Sequence, residues 1–356
     1  MLQQINQRLS SGESLDRDLV AKAVEQLVSQ DVPVELKAAF LTALAKKGET
    51  VEEIAAFALE LRGRCLKPVI PARLAGGTML DVVGTGGDRL STFNISTTVA
   101  LMAAAAGVAV TKHGNRASTS PVGSADVMEA LGLPFDLPPD KAVDCLEQHG
   151  FTYFFAPLYH PCFRHIAPAR KLCAQQGQTT IFNFLGPLLN PARPSAMLIG
   201  VPRPELCEPL ARVLQATGVR RAMVVCGAVT DSEGTRRWLD ELSPLGPTTI
   251  AEFYQERGLN CSELCPESLP IQPAALADLR GGDREVNARI IESVLDGTER
   301  GPKRDAVLLN AAAALFVAGA ASSLDAGWQA AGDVIDSGRG MAKLQELRRY
   351  KRNASL

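Results

Sequence analysis

A short apolar run that breaks into a glycine-rich turn and then a helix constrains this chain more than any other feature. Residues 80 to 132 read LDVVGTGGDRLSTFNISTTVALMAAAAGVAVTKHGNRASTSPVGSADVMEALG: a strand, a glycine turn, an alanine-rich helix, a second strand and a second polar loop. Gly84, Gly86 and Gly87 crowd the end of the first strand, where residues without Cβ take positive φ and let a bulky ligand touch the backbone. A run of N–H groups in such a turn cradles anions. Asn94, Ser96, Thr97 and Thr98 then open a helix, whose first N–H groups lack internal partners and whose dipole favours negative charge. Phosphate is the expected guest. The second strand, 108 to 111, ends in Lys112, His113, Gly114, Asn115 and Arg116, followed by Ser118, Thr119, Ser120, Gly123 and Ser124. Two successive strand ends thus bring glycine, hydroxyl and cationic groups to one sheet edge, where open α/β sheets bind ligands.

The common nucleotide signatures are absent. No G-x-x-x-x-G-K-[ST] occurs, and the glycine turn fails G-x-G-x-x-G because Arg89 stands where the third glycine belongs. Apolar β-rich runs at 79–83, 108–111, 151–155, 196–201 and 221–226 are separated by helical patterns, which predicts an α/β fold with a largely parallel sheet. Residues 1 to about 65 read instead as an array of helices. Leu15, Leu19, Ala23 and Leu27 keep helical spacing, Pro33 suits a first turn, and Thr50 with Glu53 forms a capping box. Residues 281–319 predict two further core helices, and the 348–352 tail a basic, solvated end.

With 356 residues, 46% hydrophobic and 21% charged, the chain can bury a substantial core in two domains. A net charge of -2 gives no electrostatic reason to expect a nucleic-acid or membrane-surface partner. No apolar run of about 18 residues and no basic, apolar leader is found, so a cytoplasmic location is expected. The 8 cysteines lie scattered without a C-x-x-C pair and predict reduced packing residues. Cys261 and Cys265, the only close pair, lack nearby histidines and are not read as a zinc site.

Motifs along essentially the whole chain resemble the anthranilate phosphoribosyltransferases, enzymes of tryptophan biosynthesis. They are GTGGD at 84–88, TFNIST at 92–97, KHGNR at 112–116, GSAD at 123–126, PLYHP at 157–161, FNFLGPLLNP at 182–191, LDELSPLG at 239–246, GGD at 281–283 and GPKRDAVLLNAAAAL at 301–315. The resemblance implies a small N-terminal helical domain, residues 1–75 completed by about 160–190. It also implies a larger α/β domain, residues 76–159 and 191–356, with a mostly parallel central sheet and the active-site cleft between the two. A homodimer through the N-terminal helices is implied as well. The activity implied is magnesium-dependent transfer of a phosphoribosyl group from 5-phosphoribosyl 1-pyrophosphate to anthranilate. On this resemblance the sugar diphosphate is held by Gly84, Gly87, Asp88, Thr92, Asn94, Ser96, Thr97, Lys112, Asn115, Ser118, Thr119, Ser120, Gly123 and Ser124. Anthranilate is held by Gly84, His113, Asn115, His160, Arg170 and Pro187, and Mg2+ by Ser96, Asp240 and Glu241.

The chemistry is consistent with those residue types. Cleaving the C1–oxygen bond builds charge on the departing pyrophosphate, so cations and donors matter there more than a base. Magnesium prefers carboxylates together with substrate phosphates and retained waters. Asp240 and Glu241 form the best carboxylate pair, expected in a loop between a strand ending at Cys226 and another near Thr248. Asp88 is expected to orient the glycine loop or the ribose end. The anthranilate amine is neutral at pH 7 and attacks without prior deprotonation, so proximity and orientation carry much of the rate and no residue is assigned as a strong base. An arginine such as Arg170 pairs with a carboxylate in planar, bidentate fashion. His149 and His165 read as structural. Departures from the family pattern are Arg89 after GTGGD, Thr119-Ser120-Pro121 in the second loop, and longer stretches at 171–181 and 228–238. A pyrimidine-nucleoside phosphorylase would need a different phosphate loop and no Asp-Glu pair. A nucleic-acid-binding paralogue without activity should have lost GTGGD or the acids and gained positive charge.

Overall fold

The structure is a computed structural model and describes residues 1–117, 121–231, 233–255 and 257–354. Four helices lead: α1 (Leu2–Ser10), α2 (Arg17–Val28), α3 (Val34–Lys47) and α4 (Val51–Gly63). Asp16 caps α2 by accepting from the Leu19 N–H, and the Thr50–Glu53 capping box opens α4. Glu53 is fully buried, yet its carboxylate accepts from Leu15 N–H and Thr50 N–H and pairs with Lys47 at 2.7 Å, so the charge is satisfied. Buried Lys37 donates to the carbonyls of Ser29 and His165, fastening α3 to a short turn that lies far along the chain. The helices Ala167–Gln175 and Phe182–Leu188 follow that turn and pack on the same bundle, sharing its core through Ile166, Ala169, Cys173 and Leu185.

The sheet has eight strands: β1 (Met79–Gly84), β2 (Ala109–Gly114), β3 (Phe151–Phe155), β4 (Ala196–Gly200), β5 (Arg221–Thr230), β6 (Arg236–Leu239), β7 (Thr248–Tyr254) and β8 (Arg257–Leu264). Their order is β3-β2-β1-β4-β5-β7-β8, with β6 pairing β5 off that path. The first five are parallel, and β6, β7 and β8 join antiparallel. From β1 the chain runs outward to β2 and β3, then crosses to β4 and β5 on the other side. That reversal opens a crevice beyond the carboxyl ends of β1, β2 and β4. Both sheet faces are buried, which explains the unbroken apolar runs of the parallel strands. Leu80, Val82, Leu198, Met223 and Val225 face one core with the helices Ile95–Ala105 and Pro302–Val317. Met197, Ile199, Val224 and Ala251 face a second core that is continuous with the helical bundle.

Three local expectations are corrected. β2 runs through Gly114, so Lys112 and His113 are buried strand residues and not part of the loop. The 228–238 stretch is a β5–β6 hairpin; Arg236 and Arg237 hid β6 because its sequence is polar and its order comes from pairing Val229 with Arg237 and Gly227 with Leu239. The tail is a docked helix, Arg339–Ala354: Leu344, Leu347 and Tyr350 recur at helical spacing and are buried, and Arg348 donates to the Leu131 carbonyl at 2.7 Å.

Candidate active site

The crevice is a cavity of about 300 Å³. It gathers the turn 84–88, Thr92, Asn94 and Ser96 at the Ile95–Ala105 helix start, Lys112, His113 and Asn115 from β2 and its end, Gly123 and Ser124, and the acid pair Asp240–Glu241. Ser118, Thr119 and Ser120 lie outside the described residues. Thr97 is fully buried and does not line the cavity. His160, Arg170 and Pro187 lie off it too, at or behind one wall.

Glycines on three strands set where the acids lie. A Cβ on Gly200 would come within 1.5 Å of the Asp240 carbonyl oxygen, one on Gly84 within 2.3 Å of Asp240 Oδ2, and one on Gly227 within 2.5 Å of Ser243 Cβ. Missing side chains on β1, β4 and β5 therefore let the 240–243 segment cross the strand ends. Asn310, buried in the Pro302–Val317 helix, fixes that segment from behind: its Oδ1 accepts from Leu242 N–H at 2.9 Å and its Nδ2 donates to Leu242 O at 3.0 Å. In front, Gly86 N–H donates to Asp240 Oδ2 at 2.7 Å and Ser96 N–H to Glu241 Oε1 at 3.1 Å.

Charge is concentrated here. Burial pushes Glu241 up to about 8 against the pull of Lys112, and burial together with Asp88 and Glu241 raises Asp240 well above the usual carboxylate range. Asp88 Oδ1 accepts from Leu90 N–H, while its Oδ2 is buried without a hydrogen-bond partner. Lys112 donates Nζ to Val82 O at 2.6 Å, and burial lowers its pKa despite Asp81 and Glu241. Asp81, raised to about 6 by burial, accepts from Asn190 Nδ2 at 2.9 Å; the same amide also reaches Thr111 O at 2.6 Å. This buried cluster ties β1, β2 and the 190 turn together.

The oxygen donors suit a hard divalent cation. Among the described residues no three His, Cys, Asp or Glu side chains converge as a closed metal cage. Two carboxylates beside a phosphate-sized cavity are what Mg2+ uses when substrate oxygens and water complete its shell. The orphaned Asp88 Oδ2 and Asn94 Oδ1 are further oxygens at the same place.

Behind His113 a chain of rings leads away from the cavity. The His113 and His160 rings meet edge-on at 5.3 Å, His160 stacks on Phe163 at 5.2 Å, Phe163 meets Phe182 at 5.7 Å, and Arg170 Cζ lies 5.1 Å over Phe182. Burial holds His113 at about 3 and His160 at about 4, so both rings are neutral at pH 7. His113 Nδ1 is 3.2 Å from Gly186 O, and its Nε2 has no hydrogen-bond partner. Pro187 is buried inside the Phe182–Leu188 helix. His149 pairs with Glu346 at 2.7 Å and His165 accepts from Arg164, both away from the cavity.

Models of a glycosyl transferase family match the chain, the helical bundle domain over residues 3–65 and the a/b domain over 76–341. The anthranilate phosphoribosyltransferase of Petrotoga mobilis is 42% identical over 350 residues, covering 98% of this chain and 97% of that protein. The chain belongs to the anthranilate phosphoribosyltransferase family. Solved members of that family share its shape. The enzyme from Thermus thermophilus superposes with a TM-score of 0.86 at 39% identity, covering 98% of this chain and 99% of that one. The Saccharomyces cerevisiae enzyme in complex with PRPP and Mg does so with a TM-score of 0.85 at 27% identity, covering 100% and 98%. The helical domain, the larger α/β domain and the mostly parallel sheet are thus those of the family.

Sequence reasoning missed several residues of this family member's site. Asp126, the last residue of GSAD, accepts from Ala117 N–H and Gly123 N–H, each at 3.0 Å, and so holds those two residues together. Gly281, the first residue of GGD, donates to Ser91 O at 3.0 Å and leaves no room for a Cβ beside Phe93. Phe163 and Phe182 carried no signal beyond their apolarity. Asn310, a lone amide in an alanine run, was the readable clue, because a buried amide needs partners.

Proposed function

We infer that the chain transfers the phosphoribosyl group of 5-phosphoribosyl 1-pyrophosphate to anthranilate, giving N-(5-phosphoribosyl)anthranilate and pyrophosphate in tryptophan biosynthesis. One observation carries this reading: a glycine and helix-start cradle, a buried acid pair and the neutral imidazole of His113, backed by His160, meet at the point where the strand order reverses.

The cradle holds the sugar diphosphate through the N–H groups of Gly87 and Asp88 and through Thr92, Asn94 and Ser96, with Asn115, Gly123 and Ser124 on the far side. Asp240, Glu241 and Ser96 would hold Mg2+, which when bound would supply positive charge at the pyrophosphate oxygens. Lys112 stays behind them, balancing Asp81 and Glu241. The acceptor lies against His113, whose ring is backed by His160, with Asn115 on one side of it and Arg170 toward the Phe182 side for the carboxylate. Both imidazoles are neutral, so they repel neither the developing positive charge on the ribose nor the attacking amine. Orientation, not proton abstraction, is their contribution.

A homodimer through the N-terminal helices is supported by a groove of about 890 Å³ between α1, α3 and the Ala167–Gln175 helix, lined by Leu9, Ala39, Ala43 and Leu172. Light scattering giving one chain per particle would remove it. All 8 cysteines are free, and among the described residues no helix is long and apolar enough to cross a membrane; we place the enzyme in the cytoplasm.

Loss of anthranilate fluorescence on mixing protein, sugar diphosphate and Mg2+ tests the activity. Arg170→Ala tests the acceptor site: a charge-assisted pair is worth about 1.5 to 3 kcal/mol, so KM for anthranilate should rise roughly 10- to 150-fold. KM for the sugar diphosphate should barely move. Wild-type anthranilate kinetics in that variant would take Arg170 out of the site.

A further inference from the structure

Three carboxylates, Asp88, Asp240 and Glu241, line a cavity that must accept a diphosphate. Three cations line it with them, Lys112, Arg116 and Arg89. Two are already engaged. Lys112 is buried with Nζ on the Val82 carbonyl, and Arg116 pairs with Asp126 at 2.8 Å and Glu129 at 3.0 Å. Arg89 is exposed and has no salt bridge or side-chain hydrogen bond among the described residues.

Its backbone is strained. Arg89 has φ 58°, in the left-handed region that glycine enters freely and arginine does not. The surroundings impose this conformation. Leu90 is buried against Val229 and Leu239, its N–H donates to Asp88 Oδ1, and Gly281 N–H holds Ser91 O at 3.0 Å. A glycine at position 89 would meet the same demand without strain. The chain instead keeps a long cation there, at the mouth of the cavity and beside Asp88. Strain retained by an over-determined loop at a binding site marks a residue kept for what its side chain does.

We propose that Arg89 is a substrate-contacting cation that binds the pyrophosphate end of the sugar diphosphate, offsetting the carboxylates of its own loop and of the acid pair. The pyrophosphate end is chosen because Gly86 N–H of the 84–88 turn donates to Asp240, a carboxylate that would hold Mg2+ for the departing diphosphate. The proposal rests on the cavity being the diphosphate site.

Arg89→Gly removes charge and strain together, whereas Arg89→Lys restores the charge and leaves the strain. Pyrophosphate is titrated calorimetrically with Mg2+ into wild type and both variants, with thermal unfolding and steady-state kinetics run alongside. Arg89→Gly should unfold at a higher temperature than wild type, bind pyrophosphate at least tenfold more weakly, raise KM for the sugar diphosphate to match, and leave KM for anthranilate within twofold. Arg89→Lys should recover most of the affinity and none of the added stability. Wild-type pyrophosphate affinity in Arg89→Gly, or equal weakness in the lysine variant, overturns the proposal. A wild-type protein that binds pyrophosphate but never consumes anthranilate would overturn the proposed reaction instead, and the titration would still judge Arg89.

Discussion

Replacing Gly200 by alanine adds one methyl group at the end of β4 and should act as a metal-site mutation. That Cβ would sit 1.5 Å from Asp240 O, 2.2 Å from Asp240 C and 3.0 Å from Glu241 N, all backbone atoms that cannot rotate aside. A normal separation of about 3.5 Å requires about 2 Å of movement in the Asp240–Glu241 backbone. Overpacking of this kind costs about 1 to 3 kcal/mol of stability. Magnesium tolerates far less displacement, since its oxygen ligands lie at about 2.0 to 2.1 Å in near-ideal octahedral array. The Mg2+ concentration for half-maximal activity should therefore rise at least tenfold, on the order of 1.4 kcal/mol or more. Gly332→Ala is the control: it lies inside the Leu324–Asp336 helix with nothing within 4 Å of its Cβ, and should gain about 0.5 to 1 kcal/mol of stability with unchanged metal dependence. Wild-type magnesium dependence in a folded Gly200→Ala protein would refute the steric account of how the acids are placed.

Asn310→Ala strips both backbone groups of Leu242 of their partners and should cost about 2 to 4 kcal/mol in urea unfolding while also raising the magnesium requirement. A stability loss with unaltered metal response would reduce Asn310 to a packing role. Asn190→Ala leaves Asp81 and the Thr111 carbonyl short of a donor, so a loss of about 2 to 4 kcal/mol is expected, and a change under about 0.5 kcal/mol would contradict the buried cluster. His160 has a folded pKa of about 4, below the roughly 6.5 of an unfolded histidine, so the unfolded state binds more protons between those values. Its contribution is full above pH ~6.5 and declines by up to about 1.4 kcal/mol per pH unit on acidification, levelling off below pH ~4. Asp81 and Glu241 titrate with the opposite sign, so the test is the wild-type stability relative to His160→Gln at pH 7.5 and 4.5. A pH-independent difference would sink the buried-neutral assignment.

What could be read from the sequence follows from what each signal depends on. The five parallel strands were legible because both of their faces are buried, so apolarity alone marks them. β6 and β8 were not, since strands such as RRWL and RGLNCSEL owe their existence to neighbours on the sheet. The cavity lining was legible where glycine, hydroxyl and charge cluster locally, as at 84–96 and 112–116. The residues that place the acids were not: Gly200, Gly227 and Asn310 act on Asp240–Ser243 only after three strands and a helix have come together. Thr97 shows the converse, a hydroxyl in a phosphate-like motif that the helix turns into the core.

The shared core of the helical bundle and the sheet bears on how the chain is made. α1 to α4 bury Leu27, Phe40, Phe57 and Leu61, but the same core needs Ile166, Ala169, Cys173, Phe182 and Leu185 to close it, and sheet residues Met197, Ile199 and Val224 beneath. Those pieces follow α4 by roughly 100 to 160 residues, about 5 to 30 s of synthesis at 5–20 residues per second. For that interval the first helices leave the ribosome with their apolar faces uncovered, so early collapse cannot yield the native bundle. Release of the N-terminal quarter as a fragment should give an aggregation-prone species, and unfolding of the whole chain should take bundle and sheet together.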